Sequence, residues 1–218
     1  MFEAAIFDWD GTLADTRGVI VVSFQRVLSE NGLDVPIGYI ERRIGIGASD
    51  TFREILRLKG RRADEALVTR LVRQKSEVQV ELASEVQLFD GAKELLETLR
   101  GKVKVALASM NSNVVVSHLL KINHLEECFE VVLTADCVGR SKPDPEIFLK
   151  AAAKLKTSPA RCVVFEDSIF GVKAAKAGSM SCIAVATGIY SNDELEAEKP
   201  DLLVKNLKDP KIISFVLH

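Results

Sequence analysis

Between residues 103 and 204 the chain carries five short apolar runs. They are Val103 to Ser109, Val131 to Thr134, Cys162 to Phe165, Ser181 to Val185 and Leu202 to Val204, each separated from the next by room for at least one helix. Runs that are apolar on every residue, rather than on every second one, belong in strands covered on both faces, and such strands alternate with helices in parallel sheets. Helices are expected to begin near Gly91, Asn111, Asp144, Ser168 and Asn192. A sixth apolar run, starting at Glu3, ends in Asp8-Trp9-Asp10-Gly11-Thr12, a buried strand passing at once into a turn.

From about Asp15 to Ser84 the period changes. Ile20, Phe24, Val27 and Leu28 fall on one helical face and Leu67, Leu71, Val78 and Leu82 on another, with Gly32, Pro36 and Gly45-Ile46-Gly47 as punctuation. This pattern predicts a bundle of about four helices inserted directly after the first strand. The expected fold class is therefore α/β, a Rossmann-like parallel sheet core formed by residues 1–14 and 85–218, with an all-helical cap at 15–84. Hinges are expected near Ala14 to Arg17 and Gln87 to Gly91.

Composition narrows the function. The 218 residues carry 29 basic and 31 acidic side chains, and 47% of them are hydrophobic. That is a globular chain rather than a disordered one, and its lack of a basic excess argues against nucleic acid as a partner. No apolar run approaches the roughly 20 residues of a membrane span, and the first residues lack a basic and apolar leader, so a cytoplasmic location is expected. Cys128, Cys137, Cys162 and Cys182 form no zinc-binding spacing, and three of them sit in or beside apolar runs as buried thiols would. No apolar stripe stands out for self-association, which favours a monomer.

In an open parallel sheet, ligands bind beyond the carboxyl ends of the strands. Those ends carry Asp8 and Asp10, then Ser109, Met110 and Asn111, then Glu166 and Asp167, with Lys142 joining them from the loop Gly139 to Pro145. Several carboxylates held together resist ionisation unless a cation joins them, and Mg²⁺ suits a few protein oxygens plus water and substrate phosphate. A phosphate monoester repels anionic nucleophiles, so its hydrolysis needs charge neutralisation beside a nucleophile. Lys142 and a metal meet the first need and a carboxylate such as Asp8 the second.

Four segments, in order, resemble the signature motifs of the haloacid dehalogenase (HAD) superfamily. They are Phe7-Asp8-Trp9-Asp10-Gly11-Thr12-Leu13, Ser109 at the end of an apolar strand, Ser141-Lys142-Pro143-Asp144-Pro145-Glu146-Ile147-Phe148, and Val164 to Val172 containing Glu166-Asp167. Helices inserted after the first motif resemble the cap of the subgroup with phosphoglycolate phosphatases and β-phosphoglucomutases. The resemblance implies a HAD fold and a Mg²⁺-dependent phosphatase acting on a small phosphate ester. In it Asp8 is nucleophile, and Asp10 protonates the leaving alcohol and then activates water. The Asp8 and Asp167 side chains and the Asp10 carbonyl hold the metal, with Glu166 behind them. Ser109, neighbouring backbone N–H groups at Met110 and Asn111, and Lys142 bind the phosphoryl oxygens.

The resemblance leaves alternatives. A sugar phosphomutase would use the same Asp8 and Asp10, and a regulatory module could retain the fold without turnover. Dehalogenases of the superfamily lack the acid that is Asp10 here. Phosphonate cleavage would need a Schiff-base lysine in the cap, for which Lys59 and Lys75 are formal candidates without a supporting motif. Asp15 and Thr16 are expected to cap the first cap helix. Between Glu41 and Lys75 ten Lys or Arg stand against five Asp or Glu. This excess can guide an anion, with Arg42 to Ser49 expected to face the site. His118, His124 and His218 are given no catalytic role.

Overall fold

A computed structural model describes residues 1–218. Six parallel strands form the sheet: β1 (Ala4–Phe7), β4 (Lys104–Ala108), β5 (Val131–Leu133), β6 (Cys162–Glu166), β7 (Ser181–Val185) and β8 (Leu202–Val204), in the spatial order β5-β4-β1-β6-β7-β8. The chain builds one half of the sheet outward from β1, then returns to its other side at β6. Such a reversal opens a crevice at the carboxyl ends of the central strands. Register makes those ends coincide, because Phe7 lies level with Leu107 on one side and Phe165 on the other. Asp8, Ser109 and Glu166 therefore leave three neighbouring strands at nearly the same height.

Side-chain alternation gives each sheet face its own core. Phe7, Val105, Leu107, Val163 and Phe165 point to one side, where α5 (Ala92–Leu99), α6 (Asn113–Asn123) and α10 (Pro210–Leu217) cover them. Ile6, Ala106, Val164 and Cys182 point to the other, beneath α7 (Glu146–Lys154), α8 (Ile169–Ala177) and α9 (Asn192–Ala197). Phe7 and Phe165 stack with ring centroids 4.2 Å apart directly under the strand ends, which stiffens the floor of the crevice. Helix α10 was not anticipated from the sequence; its Asp209 side chain caps it by accepting from the Lys211 N–H at 2.9 Å.

The insertion consists of α1 (Arg17–Glu30), α2 (Ile37–Glu41), α3 (Ala48–Leu58) and α4 (Glu65–Glu81). It closes its own core around Phe24, Leu28, Phe52, Ile55, Leu56 and Leu71. Two strands that the sequence reading missed, β2 (Ala14–Asp15) and β3 (Gln87–Leu88), pair antiparallel where the chain leaves and re-enters the core. Two-residue strands lie below the length at which alternation can be recognised. The expected capping of α1 needs correction at Thr16: its hydroxyl is buried without a hydrogen-bond partner, and only an Asp15 carboxylate oxygen reaches the helix, 3.4 Å from the Arg17 N–H. Cysteine burial also needs correction. Cys162 and Cys182 are buried, but Cys128 is half-buried and Cys137 exposed.

Because the cap has a separate core, Phe52→Ala should remove about 3–5 kcal/mol from the packing of α1, α3 and α4 alone. Hydrogen-exchange mass spectrometry should show lost protection across residues 17–81 with the central sheet unchanged; equal loss in β1 and β6 would contradict independent cores.

Candidate active site

The first strand ends at Asp8 because the next residues turn sharply. Trp9 is fully buried, and its carbonyl accepts the N–H groups of Leu13 and Ala14, both at 3.1 Å. Gly11, at φ 86°, has no room for a side chain: a Cβ there would lie 2.2 Å from Asp167 Oδ2. Gly188 presses on the same oxygen, where a Cβ would come within 2.0 Å. The Asp167 carboxylate thus sits in a cradle that only glycines permit. Thr12 Oγ1 donates to its Oδ1 at 3.1 Å.

Lys142, 1% exposed, bridges two acids. Its Nζ donates to Asp8 Oδ1 at 2.6 Å and to Glu166 Oε1 at 2.5 Å. Glu166 is used completely. Its second oxygen accepts the N–H groups of Asp167 and Ser168, both at 3.1 Å, and the Ser168 hydroxyl at 3.0 Å. Gly171 leaves space for it, since a Cβ there would overlap its carboxyl carbon at 1.8 Å. Glu166 is therefore an anchor for Lys142 and for the start of α8.

Burial is the largest influence on Asp8 and pushes its carboxyl well above the usual range; the Lys142 ammonium opposes this, and the Glu166 and Asp10 charges add to it. Asp167 is raised by burial and by the charges of Glu166 and Asp8, with the Thr12 hydroxyl acting against them. Burial works against the charge on Lys142, yet Asp8 and Glu166 outweigh it and hold the ammonium above its ordinary value. Ligand oxygens of Asp8, Glu166 and Asp167 lie within 4.8 Å of one another. Three buried acids against one ammonium leave an excess of negative charge that a divalent cation would relieve. One oxygen of Asp8 and one of Asp167 remain beyond those taken by Lys142 and Thr12, so this cluster fits such an ion.

Asp10 turns away from this cluster. Ser109 Oγ donates to it at 3.2 Å and Asn111 Nδ2 reaches both of its oxygens at 3.2 Å. Ser109 Oγ in turn accepts the Asn111 N–H at 3.0 Å. The N–H groups of Trp9, Asp10 and Met110, all on buried residues, have no acceptor within the chain. Leaving a buried donor unmatched costs about 1–3 kcal/mol, so these N–H groups would gain from an acceptor.

The structure brings Asp8, Asp10, Ser109, Met110, Asn111, Lys142, Glu166 and Asp167 to one edge of the sheet, as the strand-end argument expects. It also adds a residue that reasoning from motifs undervalued. Lys75 of α4 is buried, and its Nζ donates to Asn111 Oδ1 at 3.2 Å and to Gln79. Burial lowers its pKa to about 8, although Asp10 pulls the other way. A signal existed: Leu71, Lys75 and Val78 share the apolar face of α4, so an unpaired ammonium interrupts a buried stripe. Lys59, the other formal candidate, is exposed beyond the end of α3.

The basic cap loop behaves differently from expectation. Its backbone does face the site, where Gly45 and Gly47, at φ 101° and 116°, lie against Ser168 and Met110. Its arginines are engaged in pairs, although Arg43 lines the gap that also holds Asp10 and Lys75. Arg42 pairs with Glu194 at 2.6 Å and lies over the Tyr190 ring, and Arg43 pairs with Glu54 at 2.5 Å. Of the ten basic residues between Glu41 and Lys75 only Arg42 and Arg73 pair with acids outside the segment, Glu194 and Glu77, so most of the charge excess remains.

Residues 5–185 match the family "Haloacid dehalogenase-like hydrolase". The chain belongs to this family. It is 35% identical to the Bacillus subtilis protein YhcW over 85% of its own length and 84% of that protein's. It is 34% identical to the phosphorylated carbohydrates phosphatase of Thermotoga maritima, over 83% of each chain. A solved β-phosphoglucomutase from Clostridium difficile superposes with a TM-score of 0.86 at 25% identity, covering 100% of this chain and 97% of that one. The acidic cluster, the family and the helical cap make the chain a HAD-type phosphatase with a buried site able to coordinate a divalent cation. No helix is long and apolar enough to cross a membrane.

Gly171→Ala tests the packing that holds Glu166. The added methyl should displace that carboxylate, lower turnover of a phosphate ester by at least about tenfold and cost about 1–3 kcal/mol in urea unfolding, as overpacking does. Unchanged activity and stability would mean that Glu166 has another stable position.

Proposed function

We propose that the chain is a Mg²⁺-dependent phosphatase of small phosphorylated metabolites that works through a phosphoryl group carried on Asp8. The observation that carries this reading is the placing of Asp8 between a fully buried ammonium and a buried acidic cluster, beside a row of unmatched backbone N–H groups. Mg²⁺ held by Asp8, Asp167 and the Asp10 carbonyl would neutralise phosphoryl charge when bound. The N–H groups of Trp9, Asp10 and Met110, the Ser109 hydroxyl and Lys142 hold the phosphoryl oxygens. Asp8 attacks phosphorus and the ester bond breaks. Asp10 gives its proton to the departing alcohol and later takes one from the water that frees phosphate.

Glu166 keeps Lys142 in place. Residues 15–84 move over the rest of the chain about the β2–β3 pair, admitting substrate and then excluding bulk water. In the closed arrangement a gap of about 30 Å³ remains under the cap, lined by Asp10, Ile20, Phe24, Ile44, Lys75 and Met110. Lys75 is the cation in it without a carboxylate partner, so the leaving group carries an oxygen or an anion that the ammonium can meet. The similarity to the Thermotoga phosphorylated carbohydrates phosphatase agrees with such an ester. The likeness to β-phosphoglucomutase favours a second reading, in which the phosphoryl group returns to a sugar.

A panel of metabolite phosphates assayed with Mg²⁺ separates these readings. Release of free phosphate, abolished by chelator and by Asp8→Asn in a folded variant, is the expected result. Isomerisation of a sugar 1-phosphate without phosphate release would replace the phosphatase with the mutase, and no turnover of any ester would leave a regulatory module.

Lys75 gives a pH dependence. Its folded pKa of about 8 lies below its ordinary 10.5, so folding disfavours its charged form and this group's contribution to stability rises with pH between those values. Substrate affinity moves the opposite way, since the ammonium that binds the leaving group is lost above about pH 8. KM should rise there, and Lys75→Met should raise KM about tenfold at neutral pH and remove that rise. A KM with the same pH profile in the variant would contradict the assignment.

A further inference from the structure

The loop that carries Lys142 is braced on two sides. On the core side, the Gly139 and Arg140 N–H groups donate to the Glu146 carboxylate at 2.9 to 3.2 Å, and Arg140 pairs with Asp144 and Glu146. On the cap side a single side-chain hydrogen bond reaches this loop: the Ser141 hydroxyl donates to Asp50 Oδ2. Asp50 lies in the first turn of α3, and its other oxygen accepts from Arg53 Nη1 at 3.0 Å, which fixes the carboxylate in place. Arg53 is tied in turn to Glu65 of α4 at 2.9 Å. The contact therefore joins the first turn of α3 to the residue immediately before Lys142. A cleft of about 150 Å³ lies along the same seam, so around Asp50 and Ser141 the cap and the loop are not held by close packing.

We propose that Asp50 is a positioning residue that reports cap closure to Lys142 through Ser141. With the cap open, Asp50 leaves with α3, and the loop keeps only its core-side brace. With the cap closed, the Ser141 hydroxyl is drawn to the cap and the main chain of residue 142 is held at its outer end. At its inner end the Lys142 ammonium is held by Asp8 and Glu166. The lysine is then fixed at both ends only when the site is shut, which confines its best geometry for the phosphoryl group to the state that excludes water. No proton or bond changes hands in this step; it is a hydrogen bond made and broken with cap movement. The inference rests on the reading of Lys142 as a phosphoryl-binding group.

The test uses the full-length protein with Mg²⁺ and p-nitrophenyl phosphate, comparing wild type, Asp50→Ala, Ser141→Ala, the double variant and Asp50→Asn, with Asp8→Asn as control. Asp50→Ala and Ser141→Ala should each lower kcat about tenfold while moving KM less than about twofold, the size of one lost hydrogen bond to a charged group. The double variant should be no slower than the worse single variant, because both remove the same contact. Asp50→Asn, which keeps an acceptor for the serine, should restore most of kcat. Multiplying losses in the double variant, an unchanged kcat, or loss without rescue by asparagine would overturn the proposal. Thermal melting of each variant identifies a cap that fails to fold; Ser141→Ala, outside the cap, then decides alone. Turnover that survives Asp8→Asn would instead remove the underlying reading of the site.

Discussion

The pairing of Lys142 with Asp8 and Glu166 is the interaction on which the rest of the site depends. All three are buried, and an ion in that position is costly unless its partners are near and its remaining hydrogen bonds are satisfied. Glu166 meets that condition through two backbone N–H groups, a serine hydroxyl and the ammonium. Asp8 does not, because burial and its acidic neighbours hold its carboxyl above the ordinary range. An anchored acid fixes the lysine, and the lysine steadies the reactive acid. This division of labour leaves one carboxylate as scaffold and its neighbour free for the role of nucleophile that we propose for it.

Sheet topology makes the pairing possible. Asp8 and Glu166 come from adjacent parallel strands in matched register, and Lys142 arrives from a loop braced by Glu146 at the start of the following helix. Glycines at 11, 171 and 188 then remove the side chains that would collide with Asp167 and Glu166. Above this fixed floor the cap contributes backbone at Gly45 and Gly47, the ammonium of Lys75 and the Asp50 contact to Ser141. In the function proposed above, the core carries the reacting groups and the cap the groups that meet the leaving group.

Much of this was legible in the sequence, for identifiable reasons. Fully apolar runs such as Ser181 to Val185 and Leu202 to Val204 have no face for water, so their strand assignment matched the structure residue for residue. Strand-end acids and the lysine loop stood out because charged residues adjoined buried segments. What stayed hidden depended on partners far apart in the chain. Lys75 meets Asn111 across 36 residues and Asp50 meets Ser141 across 91, and nothing local marks either contact. Arg42 misled for the same reason, since Glu194, which neutralises it, lies 152 residues away.

The central claim is that phosphorus passes through Asp8 before it reaches water. It is tested most directly by the stereochemical course of hydrolysis, using a phosphorothioate monoester made chiral at phosphorus with two oxygen isotopes and water carrying the third, so that the released thiophosphate is itself chiral. Each in-line displacement inverts phosphorus, so transfer to Asp8 followed by transfer to water gives net retention. Retention is the predicted outcome; inversion would show that water attacks the ester directly and that Asp8 never carries the phosphoryl group.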